Sequence, residues 1–585
     1  MVKRFTRLSP RILVTFAALA ALVAGGLFAV TARSSFASPK PGASRSGNVS
    51  SFAAKSGTIK VKGTVVVANL GKLSAQPAAN GTKAPRVIKL GARPSAAHAT
   101  ATTAGHVPSV SSNGVSKGTV LANFDGVNEI QNNNASATPL EPPDEGLGAG
   151  GGYVGNFVNV TGAFYTPGGA TAAGPFALSS FFLESPTVNL SDPRIYYDSK
   201  THTWFANLFE YAFPDPLATP PFPGESHEDL AVNTGNPVTG TWTIYTIDST
   251  DAATPNCPCF PDYTINGVDQ NNYYLSGNEF SLVNGAFNGA EIWAISKSEL
   301  EAGVAASFAY FNQLSIGGAP AYHVQPAITY GSPSAEYFMN SLDPNNTFDN
   351  RLGVWALTNG KSVTTGIGVP SLTSTIISSE AYAMPLNAPT PPGFNTFFDV
   401  ATSGVVTADF DAMQEVEYIN GHLDGALNTS VNIPGDTGAR DGVAWFQVTP
   451  KLAYGGISPT TKVSHQGYVS LSGEYMLYPH INEVPDGGMA MTFGLGSPST
   501  YLSAAYATKS AGASNFGVVH IAAGGTGPDN GFTMTPEFGG VGRWGDYSNG
   551  EIDYSHNTVW LATQYIPNAG DIFANWGNRI FEVQL

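Results

Sequence analysis

A short phrase that recurs along the C-terminal four-fifths of the chain most strongly constrains its fold. Each copy opens on an acidic or polar residue, and an aromatic or apolar run follows after a turn-rich gap. A unit that returns every ~50–90 residues and cannot bury its own apolar face is typical of a repeat architecture. The copies start at Asp144, Asp192, Asp262, Gln325, Asp411, Tyr478 and Asp546.

The repeated units have the composition of strands, which predicts an all-β fold and a β-propeller over residues 118–585. The chain has 66 Gly, 41 Pro and only 12% charged residues, as expected for short strands joined by turns. Seven copies predict seven blades, and Thr119–Phe124 is a candidate fourth strand for the last blade. A six-bladed ring, with residues 144–183 completing the last blade, is the alternative. Each phrase start is expected on an innermost strand.

The N-terminus has the pattern of an export signal. Basic residues precede an apolar run over residues 12–30, and Ser35 and Ala37 are small residues placed for cleavage after Ala37. Residues 1–37 are therefore predicted to be a cleavable signal peptide, which implies a secreted or extracellular protein. The run is ~19 residues long, enough to span a bilayer, so a retained membrane anchor is the alternative.

Charge divides the chain sharply. Residues 1–124 contain no acidic residue but hold 16 of the 27 Lys and Arg, whereas the remaining 11 basic residues stand against all 43 acidic ones. Residues 38–117, rich in Ala, Ser and Gly, are predicted to be a disordered basic leader. This leader could be a solvated spacer, rest on an anionic membrane or wall polymer, or fold back on the acidic domain. The acidic domain disfavours nucleic acid as a partner.

The two cysteines, Cys257 and Cys259, are separated by a single proline. An oxidising compartment favours a local disulfide between them, although this spacing is strained. Free thiols are the alternative. Two thiols make a poor zinc site without further ligands, and no His-rich partner segment accompanies them.

Several phrases resemble those of a widespread group of secreted bacterial β-propeller proteins. They include Asp192-Pro193-Arg194-Ile195-Tyr196-Tyr197-Asp198 and Arg543-Trp544-Gly545-Asp546-Tyr547-Ser548. The resemblance covers roughly residues 120–585. It implies a propeller fold and export rather than a particular reaction. The architecture is similar to that of sialidase-like propellers, by analogy only.

If the phrase starts line the axis of a propeller, five carboxylates converge on one mouth. Such a ring could hold calcium through oxygen ligands or bind the polar groups of a glycan. The alternative is that each Asp accepts local backbone hydrogen bonds where a turn becomes a strand. The candidate ligand-binding residues are Asp192, Arg194, Asp262, Arg440, Tyr478, Arg543, Asp546 and Tyr547. Calcium or no cofactor is expected.

Only five arginines follow Asp125, and they allow two interpretations. Three of them meeting at the axis would resemble a sialidase pocket, with Tyr478 or Tyr547 as nucleophile. The simpler interpretation pairs each arginine with a nearby acid, such as Arg543 with Asp546.

No metalloprotease, phosphate-loop or nucleophile-elbow motif is present in the sequence. Glu415 and Glu417 alternate on one predicted strand, which favours a solvated face over a catalytic pair, and Gly150–Gly152 is predicted to be a loop. The sequence therefore predicts a monomeric, exported binding propeller for a glycan or another cell-surface polymer. A glycoside hydrolase or lyase with carboxylates at the propeller mouth is the alternative.

Overall fold

The computed structural model describes residues 49–73, 86–87, 118–342, 348–568 and 570–585. Strands account for most of these residues, which confirms the predicted all-β class. The predicted signal segment, residues 1–37, lies outside this part of the chain. Within it, no helix is long and apolar enough to cross a membrane.

Seven antiparallel units of four strands form the molecule. Units 1 and 2 comprise Gly146–Gly150, Tyr153–Val158, Thr161–Tyr165 and Thr171–Ala177, then Asn189–Asp198, Thr203–Ala212, Glu225–Asn233 and Trp242–Asp248. Units 3 and 4 comprise Cys259–Val268, Asn272–Ser281, Phe287–Ser296 and Ala306–Ile316, then Gln325–Thr329, Ala335–Ser341, Asp349–Thr358 and Ser371–Tyr382.

Units 5 and 6 continue the pattern, and unit 7 draws its strands from both ends of the sequence. Units 5 and 6 comprise Val416–Ile419, His422–Asn432, Ala439–Thr449 and Lys462–Val469, then Tyr475–Glu483, Met489–Ser497, Thr500–Lys509 and His520–Ala523. Unit 7 comprises Asn549–Asp553, Thr558–Tyr565, Gly577–Gln584 and Thr119–Asn128. The last of these pairings is the one suggested by the sequence. It covers an edge that would otherwise expose unpaired backbone groups.

Short elements connect the units. The α-helices are Val67–Leu73, Glu129–Ser136, Leu178–Phe181, Lys297–Glu301 and Ser362–Thr365, and the 3-10 helices are Phe532–Met534 and Pro536–Phe538. Ala319–Pro320 pairs with the end of unit 3. The small two-stranded pairs are Ala388–Pro389 with Val405–Val406, Phe394–Asn395 with Val400–Ala401, Leu452–Ala453 with Gly456–Ile457, and Arg86–Val87 with Leu140–Glu141.

The first strands of the units meet at the centre. Each first strand contacts the first strand of the next unit, and that of unit 7 contacts that of unit 1. Residues 327–329 of unit 4 pair in parallel with residues 416–418 of unit 5. Buried side chains from these strands, including Tyr196, Val268 and Ile552, belong to one apolar cluster. The first strands are therefore packed against one another through this cluster.

Aromatic residues fill the spaces between adjacent sheets. Trp355 of unit 4 is fully buried and packs in one cluster with Ile292 and Phe311 of unit 3. Trp445 of unit 5 packs in the same way with Met491 and Phe493 of unit 6. Burying such side chains contributes roughly 2–3 kcal/mol each, so the contacts between units carry much of the stability.

The prediction of a disordered leader is wrong for residues 50–73, which form a segment that we call the belt. Ser50–Phe52 pairs with the outer strand of unit 4. Lys55–Val65 pairs first with residues 306–310 of unit 3 and then with residues 242–246 of unit 2. The helix Val67–Leu73 contacts the outer strand of unit 1, with Val67 and Leu70 buried.

The belt is ordered for two physical reasons. It supplies backbone partners to sheet edges, which are otherwise unpaired. It also brings lysines to the acidic domain, because Lys62 pairs with Glu184 and lies 3.6 Å from Asp229, and Lys55 lies 3.2 Å from Asp251. These contacts match the fold-back alternative. Apart from residues 86–87, the rest of the predicted leader lies outside the described residues.

Candidate functional site

Each unit carries one residue with a left-handed backbone conformation in or just before its first strand. Asp tolerates this conformation better than most residues and Gly adopts it freely, and four of the seven residues are Asp or Gly, whereas the other three are Tyr or His. Register shifts in units 2, 3 and 6 show that the strand bulges there. The seven residues are Asp144, Asp192, Tyr263, His323, Asp409, Tyr478 and Gly545, with φ between 47° and 115°.

Two of the predicted carboxylates, both on left-handed residues, join neighbouring units. Asp192 Oδ2 of unit 2 accepts a hydrogen bond from the Tyr263 N–H of unit 3 at 2.8 Å. Asp144 Oδ1 of unit 1 accepts one from the Asp546 N–H of unit 7, also at 2.8 Å. All three Asp side chains are buried. Asp144 and Asp192 therefore accept backbone hydrogen bonds, as the alternative predicted, but from neighbouring units and not from the local turn.

Arg194 lies at the centre of this layer and is 1% exposed. Its guanidinium carbon lies 3.5 Å from the centroid of the Tyr547 ring, a cation–π geometry. Its Nη1 lies 3.5 Å from Glu415 Oε2, three units further round the ring. Its Nε and Nη2 have no hydrogen-bond partner among the described residues. Arg194 thus bridges distant units through the centre of the molecule.

Tyr263 makes a second bridge across the centre. Its hydroxyl group donates to Gln414 Oε1 of the segment leading into unit 5 at 3.0 Å, and it lies 3.1 Å from the backbone oxygen of Asp546. Its ring meets the Tyr547 ring edge-on, with the centroids 5.2 Å apart. We call Arg194, Tyr263, Glu415 and Tyr547 the axial cluster.

The prediction that Glu415 and Glu417 form a solvated face is wrong, because both side chains are buried. Burial raises the pKa of Glu415 to about 7, although the Arg194 charge opposes the shift. Burial also raises the pKa of Glu145, whose two oxygens have no hydrogen-bond partner in the described part of the chain, to about 8. Glu417 lies in the first strand of unit 5, and Glu415 directly precedes that strand.

The eight predicted ligand-binding residues do not form one group. Asp192, Arg194, Asp546 and Tyr547 lie in or beside the axial cluster. Arg543 pairs with Asp546 at 2.7 Å, as the simpler interpretation of the arginines predicted. Asp262 lies at the bulge of unit 3, beside Tyr263.

Arg440 and Tyr478 have other neighbours. Arg440 pairs with Asp436 at 2.7 Å and bonds to the Tyr475 hydroxyl group. Tyr478 donates its N–H to Asn428 and its hydroxyl to the Thr407 carbonyl. Arg351 pairs with Asp349, and Arg579 pairs with Asp125. These ion pairs favour the interpretation of paired arginines over a sialidase-like group of three.

Possible metal ligands gather at a different place from the predicted ring. Among the described residues, the only three His, Cys, Asp or Glu side chains with ligand atoms within 4.8 Å of one another are Cys257, Cys259 and Glu279. The structure joins the two cysteines in a disulfide.

A cleft of about 650 Å³ opens where the hairpins following the first strands of units 7, 1 and 2 meet. We call it the hairpin cleft. Its lining includes the loop Gly150–Gly152 and three tyrosines, Tyr153, Tyr197 and Tyr554. A Cβ atom at Gly150 would lie 1.9 Å from the Tyr197 ring, so glycine is needed for that ring to lie against the loop.

The polar groups of the hairpin cleft are held in fixed positions. The Tyr197 hydroxyl group lies 3.0 Å from His202 Nδ1, and the Tyr153 hydroxyl accepts a hydrogen bond from Asn236 at 2.8 Å. The backbone N–H of Tyr197 donates to buried Glu551. Tyr554 is 49% exposed, and its ring stacks on that of Tyr330.

Sequence reasoning missed the hairpin cleft. Its residues lie far apart in the chain, and only the ring of units brings the three hairpins together. The one local signal is Tyr153 directly after the Gly150–Gly152 loop.

A comparison with protein-family models and with curated proteins finds no match to the chain. Solved structures give weak likenesses. An exo-β-1,3-galactanase from Clostridium thermocellum has 10% identity and a TM-score of 0.27, covering 80% of this chain and 99% of that one. The Cellvibrio cellulosa α-L-arabinanase has 10% identity and a TM-score of 0.26, covering 65% and 95%.

The sialidase of Trypanosoma rangeli has 10% identity and a TM-score of 0.29, covering 72% of this chain and 57% of that one. TM-scores this low carry no argument about function. The candidate sites are therefore interpreted from their own residues.

Proposed function

We propose that the chain is an exported seven-bladed β-propeller that binds a neutral glycan in the hairpin cleft without hydrolysing it. The observation that carries the proposal is the contrast between the two candidate sites. The axial cluster is buried and bonded between units, whereas the hairpin cleft is open and lined by aromatic rings and polar groups.

The closed order of contacts between first strands supports seven blades. Each of the seven units has four strands and one left-handed residue near its first strand, so every unit repeats the same local structure. Thr119–Asn128 joins the N-terminal part of the chain to unit 7, which is a common way to close a propeller.

The axial cluster is a poor place for glycoside hydrolysis. Hydrolysis needs two carboxyl groups roughly 5–10 Å apart beside a space that admits the sugar. Glu415 is instead held by Arg194 and by the Asn549 amide at 2.9 Å. Asp192 and Asp144 are engaged by backbone N–H groups of other units. These carboxylates stabilise the ring.

The hairpin cleft has the chemistry of a sugar site. A volume of about 650 Å³ falls within the range of typical small-ligand pockets. Tyrosine rings offer flat apolar faces on which a sugar ring can stack, while their hydroxyl groups bond to sugar hydroxyls. Asp553 and Glu582 in the lining disfavour anionic polymers. A neutral glycan fits both properties.

The test is a glycan array with the exported chain and the variant Tyr554→Ala. Tyr554 is well exposed, so its removal should leave the fold intact and weaken binding about 10-fold or more, as expected when an aromatic anchor is lost. Tyr501→Ala, which removes a 39% exposed tyrosine from unit 6, is the matched control and should bind normally.

Equal binding by the two variants would contradict the assignment of the hairpin cleft. Incubation of each bound glycan with the protein, followed by analysis for shortened products, tests the absence of hydrolysis. Product release would favour the hydrolase alternative.

A further inference from the structure

Cys257 and Cys259 lie at the beginning of unit 3, opposite a buried carboxylate that the sequence did not connect with them. Cys259 starts the first strand and pairs with Ser281 of the second strand, two residues beyond Glu279. The sulfur atoms and a Glu279 carboxylate oxygen all lie within 4.8 Å of one another. A third ligand that two thiols would need for a metal is therefore present.

Glu279 is a buried carboxylate with one oxygen that lacks a hydrogen-bond partner among the described residues. That oxygen is Oε2. A buried carboxylate without a full set of partners is costly, so it is normally retained for a partner that compensates it.

Asn288 is the fourth residue around the two sulfur atoms and the Glu279 carboxylate. Its amide nitrogen lies 3.5 Å from the Cys257 sulfur, 3.4 Å from the Cys259 sulfur and 3.3 Å from Glu279 Oε1. The same nitrogen donates to the Pro255 carbonyl oxygen at 3.1 Å, and the Asn288 oxygen accepts from the Asn256 amide at 3.1 Å. These two bonds fix the amide with its nitrogen toward the sulfur atoms and Glu279.

We propose that reduction of the Cys257–Cys259 disulfide creates a site for a soft divalent cation such as zinc. The ligands are the two thiolates and the Glu279 carboxylate, and a water takes the fourth position. Two sulfur ligands, one carboxylate and a tetrahedral fourth position suit zinc and its analogue cobalt(II), whereas calcium and magnesium prefer all-oxygen sites.

The conversion balances with a dithiol as reductant. The dithiol gives two electrons and two protons to the disulfide and becomes a disulfide itself, which leaves two thiols on the protein. The cation then displaces one proton from each thiol, and a third from Glu279 when that carboxyl group is protonated. Cys257 is partly exposed, so a dithiol can reach its sulfur atom.

Cobalt(II) titration of the full chain tests the proposal. The disulfide is reduced with a phosphine, the phosphine is removed without oxygen, and two free thiols are counted. We expect one equivalent of cobalt to bind with a thiolate-to-cobalt absorption band, and no band before reduction. Glu279→Gln should weaken cobalt binding about 10-fold or more, since even residues that only support metal ligands contribute this much.

Two controls make the result decisive. Glu380→Gln alters a half-buried carboxyl group with a raised pKa, in unit 4, and should bind cobalt like the unchanged chain. Cys257→Ser should abolish the band. Binding that is unaffected by Glu279→Gln, or no binding by folded protein with two free thiols, would overturn the proposal. Unfolding upon reduction that cobalt does not reverse would also overturn it.

Discussion

Arg194, which the sequence predicts to bind a ligand, is a buried link between units in the structure. A scarce arginine beside a recurring Asp suggested recognition of a ligand carboxylate. In the structure it is enclosed, lies against the Tyr547 ring and neutralises Glu415 on a distant unit. The sequence could predict that a scarce buried charge must be paired, but the partner comes from 221 residues away.

Replacing Arg194 by Met should destabilise the molecule by about 3 kcal/mol at pH 8.5, where Glu415 is ionised, because removing one partner of a buried ion pair leaves the other without compensation. Chemical denaturation measures this change. Arg440→Met, which removes a peripheral arginine paired with Asp436, is the control and should have a much smaller effect. If Arg194 served a ligand instead, Arg194→Met would lose binding while its stability stayed the same.

The repeated units and the belt differ in how far their sequences predict them. In the units, the repeated phrase lies in or close to the first strands, and four of the seven left-handed residues there are Asp or Gly. The belt strand Lys55–Val65 buries only Ile59 fully and otherwise presents polar or half-exposed residues. Its order comes from edges supplied by units 2, 3 and 4, and no local pattern in the belt encodes those partners.

Lys62→Met tests whether charge holds the belt to the domain. Lys62 pairs with Glu184 and faces Asp229, whose carboxylate is buried. Its loss leaves Asp229 with less compensation, so the melting temperature should fall, by an amount equivalent to about 1–3 kcal/mol. Lys60→Met alters an exposed neighbour on the same strand and should change stability little. Equal effects of the two variants would show that the belt is held by its backbone pairing alone.

At the scale of the whole molecule, many acidic side chains are buried, which the acidic composition alone does not show. The sequence predicts a strongly acidic domain, but not that many of its acids point inward. Burial raises the pKa of Glu145 and Glu291 to about 8, and that of Glu415 to about 7. The composition cannot show which acidic side chains are buried, because burial depends on which face of its strand each side chain occupies.

These raised pKa values make stability depend on pH in a definite direction. The folded chain holds protons on these groups up to pH 7–8, whereas the unfolded chain releases them near pH 4.5. The folded state therefore binds more protons between these values, and stability falls as pH rises through them. We expect the melting temperature to be higher at pH 5 than at pH 8.5 in a buffer series of constant ionic strength.

Glu145→Gln isolates one contribution to this trend. Glu145 is buried without hydrogen-bond partners for its oxygens among the described residues, so a neutral amide replaces its protonated form with little change of shape. The variant should lose less stability than the unchanged chain between pH 5 and pH 8.5, because one buried group no longer has to ionise. Glu537→Gln, at an exposed carboxyl group in a 3-10 helix, should leave the slope unchanged. A melting temperature that rises over this pH range would mean that the interior acids are ionised and compensated in the folded chain.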